Sequence, residues 1–185
     1  MGELPHLEIL KRGLGYTLQD YKQISALESD DVKPKEDQIK CGLYRAFSEE
    51  EHLVLVESAY SRNGMRCDLR INKRDRGEIA IEIKTAWAGD GWVNKPDEQA
   101  RTWAKDVEKL SSLITEQSLV AAYFILVFAY QAGSTGERLL RERIDRISLR
   151  QPCVIETEEI GDWNRLNRLQ CFVFDIIDRR AQQID

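Results

Sequence analysis

Two stretches of alternating residues, joined by a polar turn, constrain the fold of this chain more than any other feature. Segment 66–87 reads RCDLRINKRDRGEIAIEIKTAW. Side chains change face at every residue of a strand. The three isoleucines at 79, 81 and 83 therefore face one side, and Glu82 and Lys84 project from the other. The turn KRDRG at 73–77 has the composition of a hairpin connection, so we predict two antiparallel strands.

The predicted hairpin brings acidic residues from both strands together. Folding the second strand back on the first places Asp68 beside Glu82, with Lys84 on the same face as Glu82. The sequence therefore predicts two carboxylates and one ammonium group at one place on a sheet. Such a group could serve chemistry, or it could be a structural cluster of lysine and carboxylates at a strand end.

Asp68, followed by Glu82-Ile83-Lys84 on the next strand, resembles the D…(D/E)-x-K signature of the PD-(D/E)XK phosphodiesterase superfamily. This superfamily has the restriction-endonuclease-like fold, and Cys67 stands where its name has Pro. The resemblance implies a nuclease that uses Mg²⁺ or Mn²⁺, acting on DNA in repair, recombination or defence. Asp68, Glu82 and the backbone carbonyl of Ile83 would bind the metal. Lys84 would orient the attacking water or stabilise the transition state.

Two further acidic residues are candidates for the site. A helix is predicted from about 35 to 47, with Glu36 at the edge of its apolar face. In the superfamily the helix before the first strand often carries a Glu that reaches the metal, and Glu36 matches that position. The alternative is an acid favoured by the helix dipole. Glu57 lies in a strand predicted at 52–60, and is either a second acidic ligand or an exposed strand-end residue.

The order of the other elements agrees with this fold. An amphipathic helix is predicted from Pro96 to about Ile114, with Asp106 and Lys109 as a surface ion pair. The apolar run LVAAYFILVFAY at 119–130 predicts a strand buried on both faces. Residues 35–130 thus give the order αβββαβ, the core order of the restriction-endonuclease-like fold. We predict an α/β protein whose central mixed sheet has four to five strands and is flanked by helices.

Extensions flank this core within a single predicted domain, residues 1–185. Residues 1–30 predict a helical extension, which is either two short helices or a helix and a turn because Gly13 and Gly15 interrupt the pattern. Residues 131–185 predict a C-terminal α/β extension. Its predicted elements are a helix at 137–149, a short strand at 154–155, a short helix carrying Trp163, Leu166 and Leu169, and a last strand at 171–177.

Charge and composition limit the partners. The net charge is −5, whereas nucleic-acid-binding domains are usually basic, so any nucleic-acid contact must use local positive charge. The arginine-rich helix at 137–149 is either a solvated face or a phosphate-binding ridge. The densest positive region near the predicted site lies in the turns flanking Asp68: Arg62, Arg66, Lys73, Arg74 and Arg76.

The alternative to a nuclease is a nuclease-like domain that binds nucleic acid or a protein partner without cleaving. A homodimer is a further option for the partner. The N-terminus MGELPHLEILKR lacks the apolar core of a signal peptide, and the run at 119–130 is too short to span a bilayer. The four cysteines lie far apart without a CxxC pair, so we predict free thiols rather than zinc. We expect a cytoplasmic protein without membrane contact.

Overall fold

The computed structural model describes residues 6–25, 35–60, 65–72, 77–87, 96–117, 119–146, 153–163 and 166–176. These residues form an α/β structure of four helices and eight strands. The helices are α1 (Leu7–Ser25), α2 (Glu36–Glu49), α3 (Pro96–Gln117) and α4 (Thr135–Arg146). The strands are β1 (Leu53–Val56), β2 (Ala59–Tyr60), β3 (Met65–Arg66), β4 (Leu69–Asn72), β5 (Glu78–Trp87), β6 (Leu119–Tyr130), β7 (Cys153–Trp163) and β8 (Leu166–Asp175).

Six strands form one mixed sheet in the order β1-β4-β5-β6-β8-β7. Strands β1, β4 and β5 form an antiparallel meander, and β5 pairs with β6 in parallel through the crossover helix α3. The predicted hairpin and the predicted parallel βα unit are thus confirmed. Strands β2 and β3 form a separate two-stranded ladder between β1 and β4 along the chain.

Apolar residues on the two faces of the sheet form two separate cores. The isoleucines of β5 face the layer made by α1 and α2, where they pack with residues such as Leu10 and Leu43. The small residues Ala80 and Ala86 of β5 face α3 and α4. Strand β6 lies between both layers and is buried along its length except at Val120. Its position inside the sheet explains why its sequence is a continuous apolar run rather than an alternating one.

Helix α1 differs from its prediction, because it runs unbroken through Gly13 and Gly15. The packing of α1 against α2 explains why glycine occurs inside the two helices. A Cβ at Gly13 would come within 2.8 Å of Leu43 Cδ2, and one at Gly42 within 2.4 Å of the Gly13 carbonyl oxygen. Glycine at these positions permits the two backbones to approach closely, and does not interrupt the helix.

The C-terminal region contains a long antiparallel hairpin, β7–β8, where a short strand, a short helix and a last strand were predicted. The predicted last strand at 171–177 is confirmed as the second half of β8. The helix prediction over Trp163, Leu166 and Leu169 was wrong, because Trp163 pairs with Leu166 across the hairpin. Strand β8 also pairs with β6, and this tertiary pairing overrides the weak local signal. The sheet therefore has six strands, whereas four to five were predicted.

The remaining structural expectations can be checked on single residues. In the described parts of the chain, no helix is long and apolar enough to cross a membrane. The side chains of Cys67 and Cys171 are buried, and that of Cys41 is exposed. The single predicted strand at 52–60 is divided into β1 and β2, with Glu57 between them at a left-handed φ of 47°.

Candidate active site

The candidate site lies where β4 begins and β5 continues beyond it. Strand β4 pairs with residues 78–81 of β5, whereas β5 runs on to Trp87. Past that point the Asp68 side chain takes the place of a paired backbone. Asp68 Oδ2 accepts a hydrogen bond from the Ile83 backbone N–H at 2.7 Å, so Asp68 satisfies a backbone donor at this edge of β5. The Glu36 carboxylate lies near the same edge, where the Thr85 backbone acts to lower its pKa.

The same geometry positions the Ile83 carbonyl. In a ladder, the N–H and C=O of one residue lie on the same edge of its strand. Because the N–H of Ile83 faces Asp68, its carbonyl oxygen lies on the edge that carries the two acids. Asp68 also occupies the position that continues the β4–β5 register towards Glu82, since Leu69 pairs with Ile81. The hairpin thus brings together Asp68, Glu82 and the Ile83 carbonyl, the three groups that were predicted to share one site.

Glu82 is buried, with 5% of its surface exposed, and each carboxylate oxygen contacts a lysine. Lys84 Nζ lies 3.0 Å from Glu82 Oε1. Lys109 Nζ lies 2.6 Å from Glu82 Oε2, although the two residues are 27 positions apart in the chain. Glu82 is thus held between a lysine of its own strand and a lysine of helix α3.

Helix α3 also contributes Asp106. Its Oδ2 lies 3.5 Å from Lys84 Nζ, and its Oδ1 lies 3.6 Å from Lys109 Nζ. Both are ion-pair distances too long for a good hydrogen bond, and Oδ2 is a buried oxygen without a hydrogen-bond partner among the described residues. The prediction that Asp106 and Lys109 form an ion pair on the surface was therefore wrong about the surface. The two side chains are only 17% and 21% exposed, and both contact the site.

A third lysine reaches the site from helix α2. Lys40 is buried, and its Nζ lies 3.1 Å from Asp68 Oδ1. The same ammonium lies 3.0 Å from Glu57 Oε1 and 3.6 Å from Asp37 Oδ1. Glu57 is largely exposed, with 61% of its side chain accessible. Its position matches the exposed strand-end alternative, and its role as a metal ligand stays a prediction.

Burial dominates the electrostatics of the acids. It raises the pKa of Glu82 and outweighs the hydrogen bond from Lys109. It also raises the pKa of Glu36, against the attraction of Lys84. Burial favours neutral Lys84 as well, but the charges of Glu82 and Asp106 outweigh it and raise the pKa of Lys84. Lys84 therefore stays charged, whereas burial favours the neutral forms of Glu82 and Glu36.

The oxygen atoms at the site are of the chemical type that binds a hard divalent cation. Mg²⁺ is commonly held by one or two carboxylates and keeps several waters, and Asp68, Glu82 and the Ile83 carbonyl supply oxygen ligands of this type. No group of three or more His, Cys, Asp or Glu residues in the described segments is arranged to hold a metal. The contacts of the acids account for this, because lysines and backbone N–H groups already engage their oxygens.

Sequence reasoning missed Lys40, Asp106 and Lys109. Lys40 carried a usable signal, since it lies four residues after Glu36 and next to Ile39 on the apolar face of its helix. A lysine on a buried face implies a buried acid as its partner. Lys109 had a weaker signal, because its spacing to Asp106 also suits an exposed pair. Of the predicted basic residues, Arg66 is exposed in β3, and Arg62, Lys73, Arg74 and Arg76 lie outside the described residues.

The comparisons with known proteins add no identification. The chain matches no protein-family model, no curated protein and no solved structure.

Proposed function

We propose that this protein is a metal-dependent nuclease that hydrolyses phosphodiester bonds, with DNA as the first candidate substrate. The observation that carries the proposal is the convergence of Asp68, Glu82 and Lys84 at the start of β4. Lys84 contacts Glu82 at 3.0 Å, and Asp68 is hydrogen-bonded to the residue between them. Two carboxylates and a lysine in this arrangement are the pattern of the PD-(D/E)XK superfamily, which the sequence resembles.

The order of elements gives further support. Apart from the small β2–β3 ladder, residues 36–130 follow the order helix, three antiparallel strands, helix, parallel strand. This is the order that the resemblance implies, and the acids lie at the strands where it expects them. A superfamily assignment and roles in repair, recombination or defence belong to the same proposal.

Each residue has a proposed role. Asp68, Glu82 and the Ile83 carbonyl would hold Mg²⁺ or Mn²⁺, which polarises the phosphate and lowers the pKa of a bound water. Lys84 would donate hydrogen bonds to the phosphate oxygens as negative charge develops on them. Glu36 is close enough to Lys84 and Asp68 for their charges to act on its pKa, and would orient the water or bind a second ion.

The proposal is tested by incubating the protein with linear, circular, single-stranded and branched DNA and with RNA. Each substrate is offered with Mg²⁺, with Mn²⁺ and with a chelator. We expect metal-dependent cleavage that is lost in Glu82→Gln and retained in Glu108→Gln, the same change at an exposed residue of α3. Cleavage that survives both the chelator and Glu82→Gln would contradict the proposal, as would the absence of cleavage on every substrate.

A second candidate is a nuclease-like domain that binds nucleic acid or a protein without cleaving it. One observation favours it: both oxygens of Glu82 and one oxygen of Asp68 are already paired with lysines. A cluster of this kind can stabilise a fold without doing chemistry. Retention of DNA on the protein without any cleavage, in metal and in chelator alike, would identify this candidate.

A further inference from the structure

Two lysines occupy the oxygens that a metal would need, and each has a second acidic partner outside the proposed ligand set. Lys109 contacts Glu82 at 2.6 Å and lies 3.6 Å from Asp106. Lys40 contacts Asp68 at 3.1 Å and lies 3.0 Å from Glu57. Both ammonium groups are thus shared between one proposed metal ligand and one neighbouring acid.

We propose that Lys40 and Lys109 are built-in counter-ions, and that metal loading is an ion exchange in which they pass from the metal ligands to Glu57 and Asp106. This inference rests on the proposed function, since it concerns the same metal site. It explains how two buried acids are held together when no cation is bound. It also gives each lysine a defined acidic partner after it is displaced.

The contacts of Asp106 support its role as acceptor. Its Oδ1 lies 3.6 Å from Lys109 Nζ, which is longer than a good hydrogen bond, so a short movement of Lys109 towards Asp106 would form one. Its Oδ2 is buried without a hydrogen-bond donor in the described segments and lies 3.5 Å from Lys84 Nζ, which places the acceptor at the centre of the cluster rather than at its rim.

Lys40 can likewise move from its metal ligand to a second acid, on the other side of the sheet. Its ammonium already contacts Glu57 at hydrogen-bond distance, and Asp37 lies 3.6 Å away. A small shift away from Asp68 would leave both of these contacts in place. Neither lysine therefore becomes an isolated buried charge when a divalent cation replaces it, a state that would be strongly unfavourable.

The test measures Mn²⁺ affinity without nucleic acid, by titration calorimetry and by electron paramagnetic resonance. Lys109→Met removes one competitor, and we expect Mn²⁺ to bind about tenfold more tightly, that is ~1.4 kcal/mol. Lys105→Met removes the same charge from an exposed position of α3, one turn earlier. It should change the affinity less than about twofold, because solvent screens an exposed charge.

Asp106→Asn removes the acceptor and is nearly isosteric, so it tests the exchange even if Lys109→Met does not fold. We expect it to weaken Mn²⁺ binding about threefold in the wild-type background, a moderate part of one charged hydrogen bond. In the Lys109→Met background it should weaken binding clearly less, because Lys109 is no longer there to be received and only the contact of Asp106 with Lys84 remains. A double-mutant cycle of this kind isolates the coupling between the two residues.

The outcomes separate the inference from the function on which it rests. If the wild type binds Mn²⁺ but Lys109→Met binds no more tightly, the exchange is overturned and the metal site stands. Equal weakening by Asp106→Asn in both backgrounds would also overturn it, since that is the result of a general field. If neither the wild type nor Lys109→Met binds Mn²⁺, the proposed metal-dependent function itself fails.

Discussion

Lys84 Nζ lies 3.0 Å from Glu82 Oε1, so the two polar residues of the Glu-Ile-Lys triplet are in direct contact on one face of β5. The alternation of a strand predicts a shared face, and the contact follows from the burial of Glu82 beside the lysine. In the proposed function such a lysine would be preorganised for a neighbouring phosphate, because its ammonium is already in contact with the two acids Glu82 and Asp106.

Lys84→Ala should abolish most cleavage without weakening metal binding. Loss of one preorganised donor to a developing negative charge costs about a hundredfold or more in turnover. The proposed metal ligands are retained in this variant. The measurement is single-turnover cleavage together with Mn²⁺ affinity, and Lys105→Ala at an exposed position of the next helix is the matched control. Turnover within a few fold of the wild type would remove Lys84 from the mechanism.

Local patterns predicted much of the hairpin and of β6. Alternation along β5 determines which residues face which layer, and it correctly separated the isoleucines from Glu82 and Lys84. The bounds of β6 follow from its unbroken apolar run, which ends at the polar Gln131. In such segments the neighbours along the chain carry the signal, because burial of a whole face dictates the residue types.

The lysine cluster could not be predicted in the same way. Lys40 and Lys109 belong to helices packed on opposite faces of the sheet, α2 and α3. They meet the hairpin only after both helices have docked, so their contacts depend on the packing angles of two separate elements. The extension of β7 and β8 through 163–169 was missed for a related reason, since the pairing of β8 with β6 decides the conformation there.

Substitutions at two glycines, Gly42 of α2 and Gly15 of α1, test how the close approach of the two helices affects stability. Gly42→Ala should destabilise the protein by about 1–3 kcal/mol, the usual cost of overpacking. Its new methyl group would meet Gly13 O at 2.4 Å and Thr17 Oγ1 at 2.5 Å. Gly15→Ala is the control, with nothing within 4 Å of its new methyl group.

The control should stabilise the protein by roughly 0.5–1 kcal/mol, because alanine favours a helix interior more than glycine does. Urea unfolding of both variants checks the pair. Equal effects of the two substitutions would show that the close approach of α1 and α2 has no energetic consequence.

Arg66 is the predicted basic residue that the structure describes, and it tests where nucleic acid binds. Arg66→Glu should weaken binding and flatten its salt dependence, since each phosphate contact on duplex DNA contributes about 0.9 to the slope of log affinity against log salt. Fluorescence anisotropy on labelled DNA across a range of salt gives the slope. The comparison variant is Arg138→Glu on α4, where Arg138 is paired with Glu142.

A flattened slope in Arg66→Glu alone would support contact near the turns that flank Asp68. A flattened slope in Arg138→Glu alone would move the contact surface to α4. The pairing of Arg138 with Glu142, and of Arg141 with Glu137, favours the first result. Arginines that are already paired with acids along a solvated helix have less charge to offer a phosphate.

Thermal melts of the wild type and Asp68→Ala, with Mg²⁺ and with chelator, separate a metal site from a structural cluster. Asp68 accepts bonds from Lys40 and from the Ile83 backbone. Its removal should therefore lower stability in chelator for either kind of site, by about 1–3 kcal/mol. The discriminating quantity is the increment that metal adds, since only a metal site responds to the ion.

At ten times the dissociation constant, a ligand that binds only the folded state adds about 1.4 kcal/mol. For a chain of this size that raises the melting temperature by roughly 3–6 °C. We expect this increment in the wild type and its loss in Asp68→Ala. Asp37→Asn is the matched control: Asp37 also lies beside Lys40, but 84% of its side chain is exposed, and its increment should remain. A wild type that melts at the same temperature in millimolar Mg²⁺, in Mn²⁺ and in chelator would identify the lysines and acids as a structural cluster.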